Sequence, residues 1–276
     1  MSTAFPMTRA ARPEPLRDSL TMLGRQIRRL RRYPELTVIV VAIPLIFLLL
    51  FVFVFGDTLG AGLAAGAGPV GGDRADYANY VMPAILIMTV ASVATGTSST
   101  VSMDMTTGIT DRFRSMSISP GSVLTGHALG AVVQNVISLV IVLAVGFAVG
   151  FRPAAGPLEW LGATALLLGL SLAVAWLSVV GGLLARSVET ASNYGLPLVI
   201  LPFLGSGFVP TDSMPAGLAW FAEYQPFTPI MDTLRSLMLD TDLSAGTAWA
   251  AGAWCVGLTL LGYLYSRRVY ARPRKA

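Results

Sequence analysis

Side chains able to do chemistry are scarce in this sequence. One histidine (His127), one cysteine (Cys255) and one lysine (Lys275) stand among 276 residues. A zinc-protease HExxH motif needs two histidines, and a P-loop needs a lysine behind its glycines. The single lysine lies among the arginines of the C-terminal tail, so the chain carries no ordinary ATPase site. One cysteine makes no intrachain disulfide and no cysteine-based metal centre. His127 has no His or Cys near it in sequence and reads as an ordinary helix-start residue rather than a ligand. The chain is therefore expected to hold no metal and no cofactor of its own. If it works against a gradient, a partner supplies the energy.

The informative spacings concern recognition rather than catalysis. In Met103 to Ala128, Ile109, Phe113 and Met116 recur at i, i+4, i+7, the spacing of one helix face. Asp111, Arg112, Arg114 and Ser115 fall elsewhere around that helix. Thr106 or Thr107 can cap its start, and Ser119-Pro120 opens the next helix. A short amphipathic helix of this kind is either a connector lying on lipid or a docking knob for a soluble partner, and composition leaves both open. A second such region is Pro210 to Ser244. Two half-length helices fit it, Pro215 to Tyr224 and Pro226 to Leu239, each too short to cross a bilayer. They predict an interfacial or re-entrant hairpin. Trp220, Phe221, Tyr224 and Phe227 make an aromatic cluster suited to the headgroup region. Asp232 and Arg235 are three residues apart and can pair on one helix face.

The elements that position these residues are membrane spans. The chain is 54% hydrophobic and 12% charged, with a mean hydropathy of +0.67, against about 25% charged residues in soluble domains. An all-α polytopic membrane protein follows, with six spans: Leu36 to Gly56, Val81 to Ser102, Leu129 to Gly150, Leu158 to Ala185, Tyr194 to Val209 and Ala245 to Tyr265. Pro44 is expected to kink the first. The second carries a run of small hydroxylated residues that favours close helix packing. The fifth, with Pro197, Pro202, Gly205 and Gly207, is expected to be bent. Asp57 to Asn79 and Arg186 to Ser192 read as loops. The parts are then 1–35, a cytoplasmic N-terminus with an amphipathic helix; 36–265, the six-span domain; and 266–276, a basic cytoplasmic tail.

Within Pro15 to Arg32, Leu16, Leu20, Leu23, Ile27 and Leu30 form an apolar stripe with arginines mainly off it. A basic amphipathic helix before a span is expected to lie in the membrane interface, against lipid. Sixteen of the nineteen Lys and Arg residues fall on the side of the two termini, leaving Arg74, Arg152 and Arg235 on the other. By the positive-inside rule the termini and the 103–128 stretch face the cytoplasm. The net charge of +4 thus flanks spans and reads as a topology signal, with no nucleic-acid partner.

Taken together, Asp104 and Gly108 through DRFRSMSISP (Asp111 to Pro120), GFVPTDSMP (Gly207 to Pro215) and QPFTPIMDTLRSL (Gln225 to Leu237) resemble type-2 ABC transporter permeases, and among them the daunorubicin/doxorubicin resistance (DrrB-like) group. The resemblance covers nearly the whole chain. It departs at Asp104, where many relatives have Glu. It implies a complex with two copies of a cytoplasmic ATPase subunit, which binds the ATP and Mg, and with a second permease subunit, the same or related. Ile109, Asp111, Arg112, Phe113, Arg114 and Met116 would lie on a coupling helix docked to the ATPase. Pro215, Trp220, Tyr224, Pro226, Asp232 and Arg235 would belong to an outer hairpin. Export of a hydrophobic or amphiphilic compound, a drug or a lipid, is the implied function.

Two other functions are open to such a chain. A stand-alone ion-coupled carrier or channel predicts charges buried in the spans, and the span sequences show essentially none. A scaffold that only recruits a soluble partner would need neither an outer hairpin nor a hydroxyl-rich second span.

Overall fold

Proline opens much of the secondary structure. Helices α1 (Pro15–Arg32), α4 (Pro120–Val149) and α5 (Pro157–Leu184) each begin on a proline, at the position where its missing N–H costs nothing and its fixed φ suits the helix. Pro215 and Pro226 stand one residue ahead, as N-caps of α7 (Ala216–Tyr224) and α8 (Phe227–Leu239). The others are α2 (Glu35–Leu50), α3 (Arg74–Thr106), α6 (Val188–Ile200) and α9 (Ala245–Ala271). The computed structural model describes residues 14–56, 74–107, 119–207 and 214–271, and among these every regular element is helical.

Five helices are long and apolar enough to cross a membrane: α2 with its extension to Phe55, α3, α4, α5 and α9. The centre is α3, whose most apolar stretch is 89% buried against 17% for α9. It packs against α2, α4, α5, α6 and α8. The hydroxyls of α3 explain how so polar a helix sits there. Thr89 and Ser92 donate to the carbonyls of Ile85 and Met88 in their own helix, and Ser98 donates to the Ser178 carbonyl of α5. Satisfied in this way, these three cost little, and their small size lets neighbours approach closely.

Several boundaries differ from the sequence reading. α3 begins at Arg74, so residues 74–79 are helix rather than loop. α6 begins at Val188, where Ser187 caps it by accepting from the Thr190 N–H at 3.2 Å; the expected 186–192 loop is mostly helix. α2 runs on through Pro44, and its departure from α geometry comes later, as a π-helical turn at Phe51–Phe55. α9 continues past Tyr265 and takes in Arg267 and Arg268.

The expected fifth span is the unusual element. α6 is 13 residues long and passes into a 3₁₀ turn, Leu201–Leu204. Tight 3₁₀ geometry is common at helix ends, and Pro202 favours it by withholding an N–H. The run lies antiparallel along α3. Ser192 bonds Ser99 at 2.8 Å, and Tyr80 donates to the Ser206 carbonyl at 3.5 Å. Gly195 makes this possible: a Cβ there would stand 2.7 Å from the Thr95 backbone. Gly195→Val should therefore force α6 off α3 and destabilise the fold by about 1–3 kcal/mol, read as earlier thermal aggregation in detergent. An unchanged midpoint would contradict the close packing.

Candidate functional site

Two polar constellations stand at opposite ends of this bundle. The first is built on α1, α3 and α4. Asp18 accepts from the Ser119 N–H at 3.0 Å, and the Ser122 hydroxyl donates to the Pro15 carbonyl at 3.0 Å, so the starts of α1 and α4 are stitched together. Farther along, α1 lies directly on Gly126 and Gly130. A Cβ at Gly130 would fall 2.7 Å from Gln26 Cβ, and one at Gly126 would fall inside the Met22 side chain. The two glycines, four apart, form the small-xxx-small face that lets helix backbones meet.

That close approach brings four polar side chains together. The Asp104 carboxylate, near the end of α3, accepts from the Arg25 guanidinium of α1. The same oxygen faces His127 Nε2 of α4 at 3.1 Å, and the Gln26 amide donates to His127 Nδ1 at 2.9 Å. Asp104 is 8% exposed and His127 5%. A carboxylate this buried requires partners, and it takes them from two other helices. His127 is thus part of a buried network, not the isolated helix-start residue of the sequence reading. Pairing across helices hid it, although Gly126 and Gly130 signal a helix docking there.

Residues 108–118 join α3 to α4 in sequence. Ile109, Asp111, Arg112, Phe113, Arg114 and Met116, the expected docking face, lie outside the described residues. Thr106 and Thr107 are described: both hydroxyls bond back to the Met103 carbonyl, closing α3. Ser119-Pro120 does open α4, with Ser119 extended and Pro120 at the first position.

Of the apolar stripe of α1, Leu16, Leu20 and Ile27 are exposed, while Leu23 and Leu30 are half-buried. Leu16 and Leu20 are 84% and 67% exposed, whereas Met22 and Gln26 are buried against α4.

The second constellation lies at the far end of α3. Asp232 and Arg235 pair on α8 at 3.2 Å, the contact the spacing predicts. Arg235 also stacks over the Tyr80 ring at 4.3 Å and donates to the Ser206 carbonyl at 2.9 Å. The Ser206 hydroxyl donates to Asp232 at 2.6 Å. One arginine thus ties α8, α3 and the end of the α6 run. Pro215 and Pro226 frame α7 on either side. The rings of Trp220 and Tyr224 pack tilted, with centroids 5.6 Å apart, and both are largely exposed. Phe227 leaves this aromatic group and is buried in the core beside Ile230 and Leu234.

The model of the ABC-2 type transporter family matches residues 18–239. The chain is also 28% identical, over 254 residues, to the daunorubicin resistance ABC transporter permease protein DrrB1 of Streptomyces coeruleorubidus, a match covering 91% of this chain and 82% of that one. Apart from Pro15, both polar constellations fall inside the matched residues.

Proposed function

This chain belongs to the ABC-2 type transporter family, the membrane permease component of ABC transporters, and from that premise we propose that it exports a hydrophobic or amphiphilic compound, a drug or a lipid, from the cytoplasm or inner leaflet. Two copies of a separate ATPase subunit energise it, and a second permease chain completes the pathway. The observation that carries this reading is the junction at the α1 end. Asp104 and His127 draw together the two helices that flank 108–118 and fasten both to α1, so a push on that segment reaches three helices at once.

The α6 run serves as a sixth crossing. Between its contacts with Ser99 and Tyr80 it follows α3 for about 28 Å, at about 1.5 Å per residue, close to the hydrocarbon thickness of about 30 Å. Six crossings put both termini on one side, and the arginine bias makes that side cytoplasmic. The exposed leucines of α1 then rest in the inner interface, and the α7–α8 hairpin faces outward. The titratable side chains buried at the α1 end, Asp104 and His127, lie at one depth. A single pair at one depth makes no proton path, which weighs against an ion-coupled carrier.

The test is to purify the chain with its ATPase subunit and reconstitute both. Uptake of a fluorescent amphiphile into inside-out vesicles should require ATP and survive collapse of the proton gradient. Transport that needs the gradient and ignores ATP would establish the carrier instead. Topology has its own test: single cysteines from Pro215 to Leu239, in a Cys255→Ser background, probed from outside with an impermeant thiol reagent. Labelling should dip at Gln225 to Thr228, where Gln225, Phe227 and Thr228 are buried, and recover on exposed positions such as Trp220 and Tyr224. Labelling only from the cytoplasm would overturn the six crossings.

A further inference from the structure

A partly open cavity lies between α1, α2, α3 and α4. It holds about 40 Å³, room for about three waters at about 10–15 Å³ each. Three polar side chains from three helices line it: Arg29 of α1, Thr97 of α3 and Gln134 of α4. Among the described residues none of the three side chains has a hydrogen-bond or ion-pair partner. Thr97 is the most constrained of them, at 7% exposed. Its neighbours Ser92, Ser99 and Thr100 all donate to carbonyls of their own helix, as a hydroxyl in an apolar helix ordinarily does. Thr97 leaves its hydroxyl to the cavity, and a buried polar group left unmet is costly.

The rest of the polar wall is already engaged. Gln26 binds His127, and His127 faces Asp104, whose charge Arg25 matches. What remains is one guanidinium and two neutral donors, with no Asp or Glu among the described residues of the wall. Arg28, Arg31 and Arg32 are exposed, whereas Arg29 is half-buried against the cavity. A fixed cation beside free donors suits an anionic oxygen and matches the fork of a phosphate. Leu30 and Leu36 add apolar wall, suited to the chain that carries such a group in a bilayer. Gly96 keeps the space open: a Cβ there would meet nothing within 4 Å.

We propose that this cavity binds the phosphate ester group of a phospholipid, with Arg29 as its counter-charge and Thr97 and Gln134 donating to its free oxygens. The proposal rests on the reading of α1 as an interfacial helix, which puts the cavity at the level of the headgroups. Soluble phosphate offers the same oxygens, and the test separates the two sources.

The full-length chain in maltoside micelles is titrated with dioleoyl phosphatidylglycerol, and bound lipid is counted by native mass spectrometry. One lipid should be retained, with dioleoylglycerol, which lacks the phosphate, held about tenfold more weakly. Arg29→Gln should weaken retention about tenfold and Thr97→Val severalfold. Gly96→Leu should block it, because the new side chain grows into the cavity from a position where a Cβ meets nothing. Arg32→Gln removes the same charge from an exposed position on the same helix and should leave retention unchanged. Retention in the presence of excess inorganic phosphate would assign the cavity to the lipid; displacement by it would reassign the cavity to a soluble anion. Equal retention of phosphatidylglycerol and dioleoylglycerol, or an Arg29→Gln loss no greater than that of Arg32→Gln, would overturn the proposal, and the first comparison needs no variant to fold. Bilayer quenching of a fluorophore at Leu20, together with lipid retention that ignores Arg29, would remove this site and leave the interfacial helix standing. Arg29-dependent retention without that quenching would do the reverse.

Discussion

Asp104→Ala should release α1 from the bundle and abolish export while leaving the chain in the membrane. The carboxylate receives Arg25 from α1 and faces His127 from α4, with its side chain 12% exposed. Removing one member of a buried ion pair costs about 3–5 kcal/mol, because the remaining charge loses its compensation. Arg25 is 33% exposed, so water screens part of that cost and the lower end applies. Even about 3 kcal/mol shifts an equilibrium about a hundredfold. The readout is a cysteine at Met22, a position buried against Gly126 in the folded chain, in the Cys255→Ser background. Its labelling rate should rise at least about tenfold in Asp104→Ala. Asp104→Glu should restore slow labelling, since the carboxylate is kept. Arg25→Gln should act in the same direction but more weakly, because Asp104 then keeps His127. Unchanged labelling in Asp104→Ala would show that the glycine contacts alone hold α1.

The network behind that expectation was hidden in the sequence, for a geometric reason. Hydrophobic periodicity reports one helix at a time: it placed α1 and the hairpin helices close to where they lie, whereas α3 starts at Arg74 rather than Val81, α4 at Pro120 rather than Leu129, and α9 runs to Ala271 rather than Tyr265. Asp104 and His127 are 23 residues apart on antiparallel helices, with an intervening segment whose path no local pattern describes. Asp104 entered the sequence reading as a motif residue and His127 as a solitary one. The spacing Gly126-xxx-Gly130 was the available signal, since such pairs mark where another helix lies close.

At the hairpin the sequence was more informative because the key contact is local. Asp232 and Arg235 share a helix face, so their pairing follows from spacing, whereas Tyr80 and Ser206, which complete the arginine's surroundings, are remote in sequence. Phe227 shows the limit of composition. It sits among interfacial aromatics in the sequence, but one residue past Pro226 the helix turns it inward. Charge misled at the start of α3: Arg74 and Asp76 look like loop residues, yet a helix that projects beyond the hydrocarbon can carry them on its first turn.

Replacing both Phe113 and Met116 with Asp should eliminate recovery of the ATPase subunit. The two residues share a face with Ile109 at helical spacing, in the segment that joins α3 to α4. Apolar anchors at the centre of an interface contribute about 2 kcal/mol or more each when truncated. Losing two weakens a complex about a thousandfold, enough to empty a pull-down. The carboxylates add desolvation cost and compete for Arg112 and Arg114, whose charges would otherwise set register against acidic groups of the partner. Insertion should be unaffected, because neither residue belongs to one of the apolar runs expected to span and neither takes part in the Asp104–His127 pairing. Replacing both with Leu should keep most of the recovery, since a docking groove tolerates apolar exchange of similar volume better than charge. A connector that merely rests on lipid predicts a different pattern. The Asp pair would then lift the segment from the membrane surface, measurable as loss of bilayer quenching from a fluorophore at Ser117, while ATPase recovery stayed normal. Full recovery with the Asp pair would therefore exclude a coupling role for this segment and favour a surface connector.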